Sequence, residues 1–413
     1  MATRRWLAAA LLLLAGLFAP AAGLAAPRIG VMTMQPGEIF FERFGHDSIV
    51  VLDTATGDAI SYNFGSFDPT EPGFLGRFVR GQMEYLLVAQ PLEWDLATYQ
   101  HEGRGVSIQW LDFTPAQANG LAAYLEEEAR PENARYRYDY FTNNCATRVR
   151  DAIDEALGGL LHNRIAGRSR GNTYRSEAVR LASPATWMWL GFDIGIAGAG
   201  DRQLSRWEEA FVPMRLADSL REVHLDDGRP LVVAEQQLLP HMVAPEPAET
   251  PRAWWPWLLT GLALAAVLWG LARKCPRIAG ALAALAWLGC GLLGALMLYL
   301  WLGTEHRFAW ANENLLLLNP LCLLLLPGAW AIAGGKTPGR PFRIVLALVA
   351  AAAVAAFVLK WVLLSSQANQ AWIALLLPLH LALWSGFSSR RLPSSPAPSP
   401  PSRRTGPSPT KAA

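Results

Sequence analysis

The chain has 413 residues, of which 52% are hydrophobic and 17% are charged. Ordinary soluble domains carry about 25% charged residues, so this chain is more apolar than a soluble protein. Lys and Arg number 36 against 34 Asp and Glu, and the net charge of +2 argues against a nucleic-acid-binding protein. The apolar fraction excludes a chain that is disordered throughout. The length suggests two or three structural units.

The N-terminus has the three parts of a secretory signal peptide. Arg4 and Arg5 form a basic region, residues 6–18 form an apolar region, and small residues continue to Ala26. The apolar region is short for a membrane span, which favours cleavage near Ala25. The sequence therefore predicts an exported protein, with an uncleaved membrane anchor as the alternative.

The segment 27–240 mixes apolar and polar residues with frequent turns, which is typical of a globular α+β domain. Short strands are predicted at 29–34, 47–52, 59–64, 83–89 and 105–111. A helix is predicted over about 115–129, because Thr114 provides an N-cap and Pro115 suits the first helical position. A second helix is predicted over about 144–157. Further helical pieces are predicted around 176–183 and 204–220.

The chemistry of the chain changes after a proline-rich linker. Five apolar stretches follow, and each reaches the length of about 20 residues that a bilayer core requires. They lie at 253–272, 278–302, 315–334, 342–364 and 370–388. Pro and Ser residues then predict a disordered tail. The predicted order is signal peptide, periplasmic domain, linker, five-helix transmembrane bundle and tail, at 1–26, 27–240, 241–252, 253–389 and 390–413.

Basic residues in the loops orient the predicted bundle. The loops after the first, third and fifth stretches hold Arg273, Lys274, Arg277, Lys336, Arg340, Arg343, Arg390 and Arg391. The intervening loops hold no lysine. Because cytoplasmic loops are enriched in Lys and Arg, we expect the C-terminus in the cytoplasm and the globular domain outside. The predicted signal peptide leads to the same topology.

Cys145 is the candidate nucleophile. The other three cysteines lie in or beside the apolar stretches, so Cys145 has no disulfide partner within 27–240. It falls in the first turn of a predicted helix, where free N–H groups and the helix dipole favour a thiolate and stabilise an oxyanion. Asn143 and Asn144 precede it as oxyanion donors or, alternatively, as helix caps. A buried cysteine acting as a small hydrophobe is the other interpretation.

His46 is the candidate base, because it starts a predicted strand directly after the small residue Gly45. In this chain the base lies on a strand and comes before the nucleophile, which lies on a later helix. This is the permuted order of a papain-like arrangement, and such triads are defined by geometry rather than by chain order. The group that orients the imidazole should lie on the neighbouring strand, where we select Asn63. Ser61 shares its face. The competing acids are Asp47 and Asp68.

Several motifs around these residues resemble one family. They occupy residues 44–46, 62–68, 78–81, 136–141 and 143–151, the last reading Asn-Asn-Cys-Ala-Thr-Arg-Val-Arg-Asp. Together they resemble the N-terminal periplasmic domain of the Lnb family over roughly 28–180. The loop 305–320 resembles the membrane part of the same family.

The resemblance implies a function. The family is named for lipoprotein N-acyltransferases, and its domain is similar to permuted NlpC-type and lecithin:retinol acyltransferase-like thiol enzymes. It implies Cys145 as nucleophile and His46 as base, in the periplasm at the bacterial inner membrane. It does not settle the third catalytic residue or the substrate.

The predicted activity is transfer of an acyl chain from a phospholipid to an amine, such as a lipoprotein N-terminus, through a thioacyl-enzyme. No cofactor, metal site or nucleic-acid partner is predicted. His306 and Lys360 are candidate supports on the membrane side, with a polar loop and a snorkelling lysine as the alternatives. A peptidoglycan amidase or peptidase with the same Cys–His pair is the second hypothesis. A non-catalytic membrane scaffold is the third.

Overall fold

The structure is a computed structural model that describes residues 26–250 and 253–388. The predicted signal peptide up to Ala25 and the predicted tail from Arg390 lie outside the described residues. The described chain forms two compact units. The first unit holds residues 26–250 with Met297–Asn312 and Ser366–Ala368. The second holds the remaining described residues.

A seven-stranded antiparallel sheet is the centre of the first unit. Its strands are β1 (Arg28–Met34), β2 (His46–Leu52), β3 (Ala59–Ser66), β4 (Glu84–Pro91), β5 (Val106–Leu111), β6 (Arg135–Arg137) and β7 (Val232–Leu239). They lie in the order β6-β4-β3-β2-β1-β5-β7. The five predicted strands are confirmed to within two residues at each end. The strands β6 and β7 were not predicted, because β6 is very short and β7 lacks an alternating burial pattern.

The helices of this unit are α1 (Phe74–Arg80), α2 (Leu92–Glu102), α3 (Pro115–Glu128), α4 (Cys145–Ala156), α5 (Leu160–Ile165), α6 (Tyr174–Ala182), α7 (Thr186–Gly195), α8 (Arg206–Glu209) and α9 (Pro213–Glu222). The predicted cap at Thr114 is confirmed, since its side chain accepts a hydrogen bond from the backbone N–H of Gln117. The predicted pieces around 204–220 are two helices, because Pro213 starts a new helix at its first position.

Helices cover both faces of the sheet. On one face, Val149 and Ile153 of α4 pack on Ile49 and Phe64 of β2 and β3. On the other face, α2 packs on a cluster that includes Val50. Neighbouring residues on β2 therefore face opposite layers, as the two-residue period of a strand requires. The catalytic candidates lie where β2 and β3 meet the start of α4.

The second unit is helical and apolar. Its helices are α10 (Trp255–Lys274), α11 (Pro276–Gly303, whose last turns belong to the first unit), α12 (Leu326–Ala333), α13 (Arg340–Trp361) and α14 (Gln370–Ser388). Four of them are long and apolar enough to cross a membrane. Gly261 of α10 lies against α14 so closely that a Cβ would stand 2.6 Å from the carbonyl oxygens of Ala374 and Leu375. Small residues commonly permit such contacts between membrane helices.

The third predicted span, 315–334, is not one continuous helix. The pair Arg307–Leu316 and Pro320–Ala333 bends by 42°, and the described residues give five spans only if this pair counts as one. Asn319 caps the second part by accepting a hydrogen bond from the N–H of Leu321. Pro320 has no N–H to continue a helix, so the break follows from the sequence Asn-Pro.

Candidate active site

Cys145 is the first residue of α4, as predicted, and Asn144 is its N-cap. The Asn144 Oδ1 atom accepts a hydrogen bond of 3.0 Å from the N–H of Thr147, and the Asn144 N–H donates to Thr147 Oγ1 at 2.7 Å. This reciprocal pair is a capping box that satisfies two otherwise unpaired groups of the helix end. The backbone that carries the thiol is therefore held rigidly.

The side chains of Asn143 and Asn144 are bound to the backbone. The Asn144 amide donates both of its hydrogens, to the carbonyls of Tyr140 at 2.9 Å and Phe211 at 2.8 Å. The Asn143 amide donates to the Arg137 carbonyl at 2.6 Å. The capping alternative therefore holds for Asn144, and its amide has no hydrogen left for a substrate oxyanion. The backbone N–H groups of Asp47, Cys145 and Ala146 instead act on the thiol, because they lower the pKa of Cys145.

His46 is hydrogen-bonded to Asn63, at 3.0 Å between Nε2 and Oδ1. The Asn63 Nδ2 atom donates to Asp95 Oδ2 at 2.8 Å and to Ser61 Oγ at 3.1 Å. These two acceptors fix the orientation of the amide, so Oδ1 faces the imidazole and Nε2 must carry the proton. The lone pair of the neutral ring is then on Nδ1. The Asn63 that we selected from the sequence thus lies beside His46.

The competing residues lie elsewhere. The Ser61 hydroxyl lies on the face of Asn63, as predicted, and donates to Ser48. Asp68 is exposed and accepts hydrogen bonds from its neighbour Thr70. Asp47 is completely buried and accepts a hydrogen bond of 2.7 Å from Thr33. None of these three contacts the imidazole through a described hydrogen bond.

Two glycines shape the backbone around the candidate pair. Gly45 has a φ of +76°, and a Cβ there would stand 2.9 Å from the carbonyl oxygen of Met34. Only glycine fits this position, which sets the start of β2 and thus His46. Gly65 has a φ of +93° at an irregularity between β3 and β4, and its Cα faces the Cys145 Cβ. A bulge of this kind often re-aims a strand beside an active site.

Cys145, His46 and Asn63 line one cavity of about 490 Å³. Aromatic rings form much of its wall, among them Phe40, Phe67, Phe78, Tyr85, Tyr138 and Phe192. The polar groups Gln90, Asp95 and Arg104 also line it. The volume is within the range of about 300–1,000 Å³ that is usual for small-molecule sites. A largely apolar cavity with a few convergent polar groups suits an acyl chain next to a reacting ester.

The expected thiolate is not supported. Burial raises the pKa of the Cys145 thiol to about 12, and the nearby Asp47 carboxylate adds to the rise. The backbone N–H groups oppose this effect but are weaker than the desolvation of the charged sulfur. Burial also lowers the pKa of His46 to about 4, although the hydrogen bond that His46 donates to Asn63 raises it. The resting pair is therefore a neutral thiol and a neutral imidazole.

This protonation state predicts how Cys145 reacts with iodoacetamide in the full chain. The alkylation rate should rise about tenfold per pH unit between about pH 7 and pH 10, because only the thiolate reacts and its fraction is still growing. The measurement is mass spectrometry of the Cys145 peptide over time. A model thiol, which levels off near its pKa of about 8.5, is the control. A plateau of the Cys145 rate below about pH 8 would contradict the neutral pair.

The two candidate supports lie in different units. The His306 ring stacks on Tyr140, with centroids 6.2 Å apart, and Tyr140 lines the cavity. Burial lowers the pKa of His306. Lys360 belongs to the second unit, where its Nζ donates to the Ser365 carbonyl at 2.8 Å. His306 is thus one ring away from the cavity wall, whereas Lys360 has a local partner near the end of its helix.

Asp95 lines the candidate site, and the sequence did not predict it. It is 4% exposed and holds the Asn63 amide, and Gln90 donates to its other oxygen. The residue lies in the first turn of α2, where an acidic side chain is ordinary at the positive end of a helix. Burial between two partners is a tertiary property, so nothing local in the sequence distinguished Asp95 from a surface acid.

Comparisons with known proteins cover both units. The family model for the Lnb N-terminal periplasmic domain matches residues 24–178. The family model for the Lnb transmembrane domain matches residues 248–390. No curated protein and no solved structure matches the chain. The first match includes Cys145, His46, Asn63 and Asp95.

Proposed function

Because the chain belongs to the Lnb family, we propose that it is a membrane-anchored thiol acyltransferase. It moves an acyl chain from a phospholipid to an amine, such as the N-terminus of a lipoprotein. The observation that carries the proposal is the aromatic cavity of about 490 Å³ into which Cys145 and the His46–Asn63 pair open. An apolar chain fits these walls better than a cell-wall peptide, whose amides need hydrogen-bond partners.

In the proposed first step, His46 Nδ1 takes the thiol proton while the Cys145 sulfur attacks the ester carbonyl. Backbone N–H groups beside the sulfur hold the oxyanion. The C–O bond breaks, the lysophospholipid alcohol leaves with the proton from His46, and a thioester remains. Because the thiol is neutral at rest, proton removal accompanies the attack.

In the second step, the acceptor amine attacks the thioester. His46 takes a proton from the nitrogen, the C–S bond breaks, and the sulfur recovers the proton. The products are an amide and the resting thiol. Asn63 and Asp95 act as positioning residues, since they keep the proton on Nε2 and leave Nδ1 free for both transfers. Arg104 lies buried in the wall of the cavity and is paired with Glu102, and its Nη2 atom, which has no hydrogen-bond partner among the described residues, suits the phosphate of a phospholipid donor.

The candidate base lies on a strand that precedes the helix of the candidate nucleophile. This order supports a relationship with permuted papain-like enzymes. The family name and the basic loops support a place in the bacterial inner membrane, with the first unit in the periplasm and the C-terminus in the cytoplasm. In this arrangement the first unit is on the side of the membrane that holds lipoprotein substrates. Attachment to the membrane also raises the effective concentration of both lipids.

The test is to trap the thioester. The full chain in lipid nanodiscs is given phospholipid with labelled acyl chains and no amine. We expect label on the wild-type protein and on the control Cys275→Ser, released by hydroxylamine, and no label on Cys145→Ala. Equal label on Cys145→Ala would overturn the proposal.

The same preparation separates transfer from hydrolysis. Addition of a diacylated lipopeptide with a free N-terminus should move the label into a hydroxylamine-resistant amide. Release of the label as free fatty acid, with no amide at any lipopeptide concentration, would make the protein a hydrolase and would overturn the transferase assignment.

A further inference from the structure

Five large apolar side chains are exposed on the first unit beside the cavity. We call them the apolar rim: Ile39, Phe41, Leu75, Val79 and Trp187, with exposures of 54%, 55%, 71%, 43% and 66%. An exposed apolar patch next to a cavity commonly marks an interaction surface. The question is what covers the rim.

The rim is continuous with the cavity wall. Phe41, which lines the cavity, packs edge-on against Phe67, and the neighbouring wall residue Phe40 stacks on Trp187. The ring centroids are 5.2 Å and 6.0 Å apart. A molecule that contacts the rim therefore meets the same aromatic surface that leads to Cys145.

Helix α1 is apolar on two faces. Its Phe74 and Phe78 stack on each other, and Phe74 also stacks on Phe67. Leu75 and Val79 are likewise one turn apart, so they share the other, exposed face. The two arginines of the helix lie on its remaining side, so one apolar arc includes both the packed and the exposed face. The exposed face of α1 therefore lacks a covering surface among the described residues.

The end of a membrane-spanning helix fixes where this face lies. Met297–Gly303, the last turns of α11, belongs to the same compact unit. Tyr299 and Trp301 are exposed there, as in the aromatic belt at a membrane surface. Two residues beyond the helix, the Glu305 N–H donates to the Arg80 carbonyl at the end of α1, at 2.8 Å.

Side chains reinforce this attachment. Glu305 accepts hydrogen bonds of 2.6 Å from both Gln82 and Arg137. Because α1 has seven residues, its whole length is about 10 Å, so Leu75 and Val79 lie within about one helix length of Arg80, which binds Glu305.

Helix α7, which carries Trp187, is attached to the other end of the same loop. Its Ile194 and Gly195 carbonyls accept hydrogen bonds of 2.8 Å and 3.0 Å from the Asn312 amide. Both helices of the rim thus end on the segment that follows α11. The segment fixes them relative to the end of a membrane span.

We propose that the apolar rim inserts into the outer leaflet of the membrane, so that a phospholipid acyl chain passes from the bilayer into the cavity without crossing water. The destination of the lipid rests on the proposed function, whereas the insertion of the rim does not. A protein partner is the alternative covering surface. The continuity of the rim with a span end favours lipid.

The first experiment measures contact with lipid directly. The photocrosslinker p-benzoylphenylalanine replaces Val79, or Val233 as the matched control, in the full chain in nanodiscs of phospholipid alone. Val233 is an exposed valine on β7, at the opposite edge of the sheet. We expect phospholipid adducts at Val79 to exceed those at Val233 by about tenfold or more, because only the rim enters the leaflet. Equal lipid adducts, or protein adducts alone at Val79 in native membranes, would overturn the proposal.

The second experiment measures delivery of the substrate. The variant Leu75→Asp/Val79→Asp should acylate Cys145 from bilayer phospholipid about tenfold more slowly than wild type, since charges resist insertion. Its reaction with a short water-soluble ester should stay unchanged, as should both reactions of Val233→Asp. An unchanged rate with bilayer lipid would overturn the role in delivery. If the wild type forms no thioester at all, the proposed function fails, and the crosslinking result still decides the insertion.

Discussion

Replacement of His46 by alanine is expected to slow acylation of Cys145 by about 10²–10⁴-fold, the usual contribution of a general base. The expected loss is large because burial raises the pKa of the Cys145 thiol to about 12, so almost no thiolate forms without a base. The measurement is the rate of thioester formation from labelled phospholipid in nanodiscs. The matched control is His101→Ala, an exposed histidine of α2 that should keep the wild-type rate.

Two further results test the base assignment. Asn63→Ala should reduce the acylation rate less than His46→Ala does, by about ten- to a hundredfold. The substitution frees the imidazole to rotate but does not remove it. The wild-type rate should fall on acidification only near pH 4, where His46 with its lowered pKa becomes protonated. A His46→Ala enzyme that acylates at the wild-type rate would exclude this histidine as the base.

The sequence predicted the site better where local rules were sufficient. Of the two alternatives for Asn144, the helix cap is confirmed, and it was predictable because a cap depends on residues only three positions apart. The position of Asn63 beside His46 was predictable because adjacent strands place their side chains together, and β2 does pair with β3. These predictions needed the period of a strand and the chemistry of a helix end.

Two features that the sequence did not predict depend on burial in the folded protein. The helix-end rule predicted a thiolate at Cys145, but the thiol is packed in the core between α4 and the sheet, where desolvation is stronger than the helix end. Asp95 was missed for the same reason. Helix α1 was missed because its seven residues are fewer than a helical pattern needs to be recognised in the sequence.

The break in the third predicted span is a different case. The Asn319-Pro320 pair was visible in the sequence, yet a proline is tolerated in a membrane helix, and Pro378 does lie inside α14. Asn319 makes the difference, because its side chain caps a new helical segment that starts at Pro320, by accepting a hydrogen bond from the Leu321 N–H. A proline preceded by a capping residue indicates a break more strongly than a proline alone.

Asp47→Asn is expected to remove most of a pH-dependent destabilisation of the folded protein. Asp47 is completely buried, and burial raises its pKa from 3.8 to about 7. When the pKa of a carboxyl is higher in the folded than in the unfolded protein, the group stabilises the fold at a pH below its unfolded-state pKa. This stabilisation is lost as the pH rises through the pKa of the folded state. A shift of about 3 units corresponds to about 4 kcal/mol, lost between about pH 4 and pH 7.

The asparagine keeps the hydrogen bond from Thr33, because its Oδ1 still accepts. It has no charge to desolvate, so the melting temperature of the full chain in detergent should exceed that of wild type by a margin that grows by about 10 °C from pH 4 to pH 7. The control is Asp58→Asn, which replaces an exposed aspartate. The difference between its melting temperature and that of wild type should not change with pH. Parallel melting curves for wild type and Asp47→Asn over this range would contradict the buried, proton-sensitive carboxyl.

The same substitution should also lower the pKa of the Cys145 thiol. The Asp47 carboxylate raises the pKa of Cys145, while the Asp47 backbone N–H lowers it, and the asparagine removes only the first effect. The alkylation curve of Cys145 should therefore shift to lower pH in Asp47→Asn, with faster reaction at any pH above about 7, where the wild-type carboxyl is ionised. Below that pH the two curves should converge, because the wild-type carboxyl is then neutral as well. A variant that is more stable but reacts at the wild-type rate at every pH would show that Asp47 affects the fold without influencing the thiol.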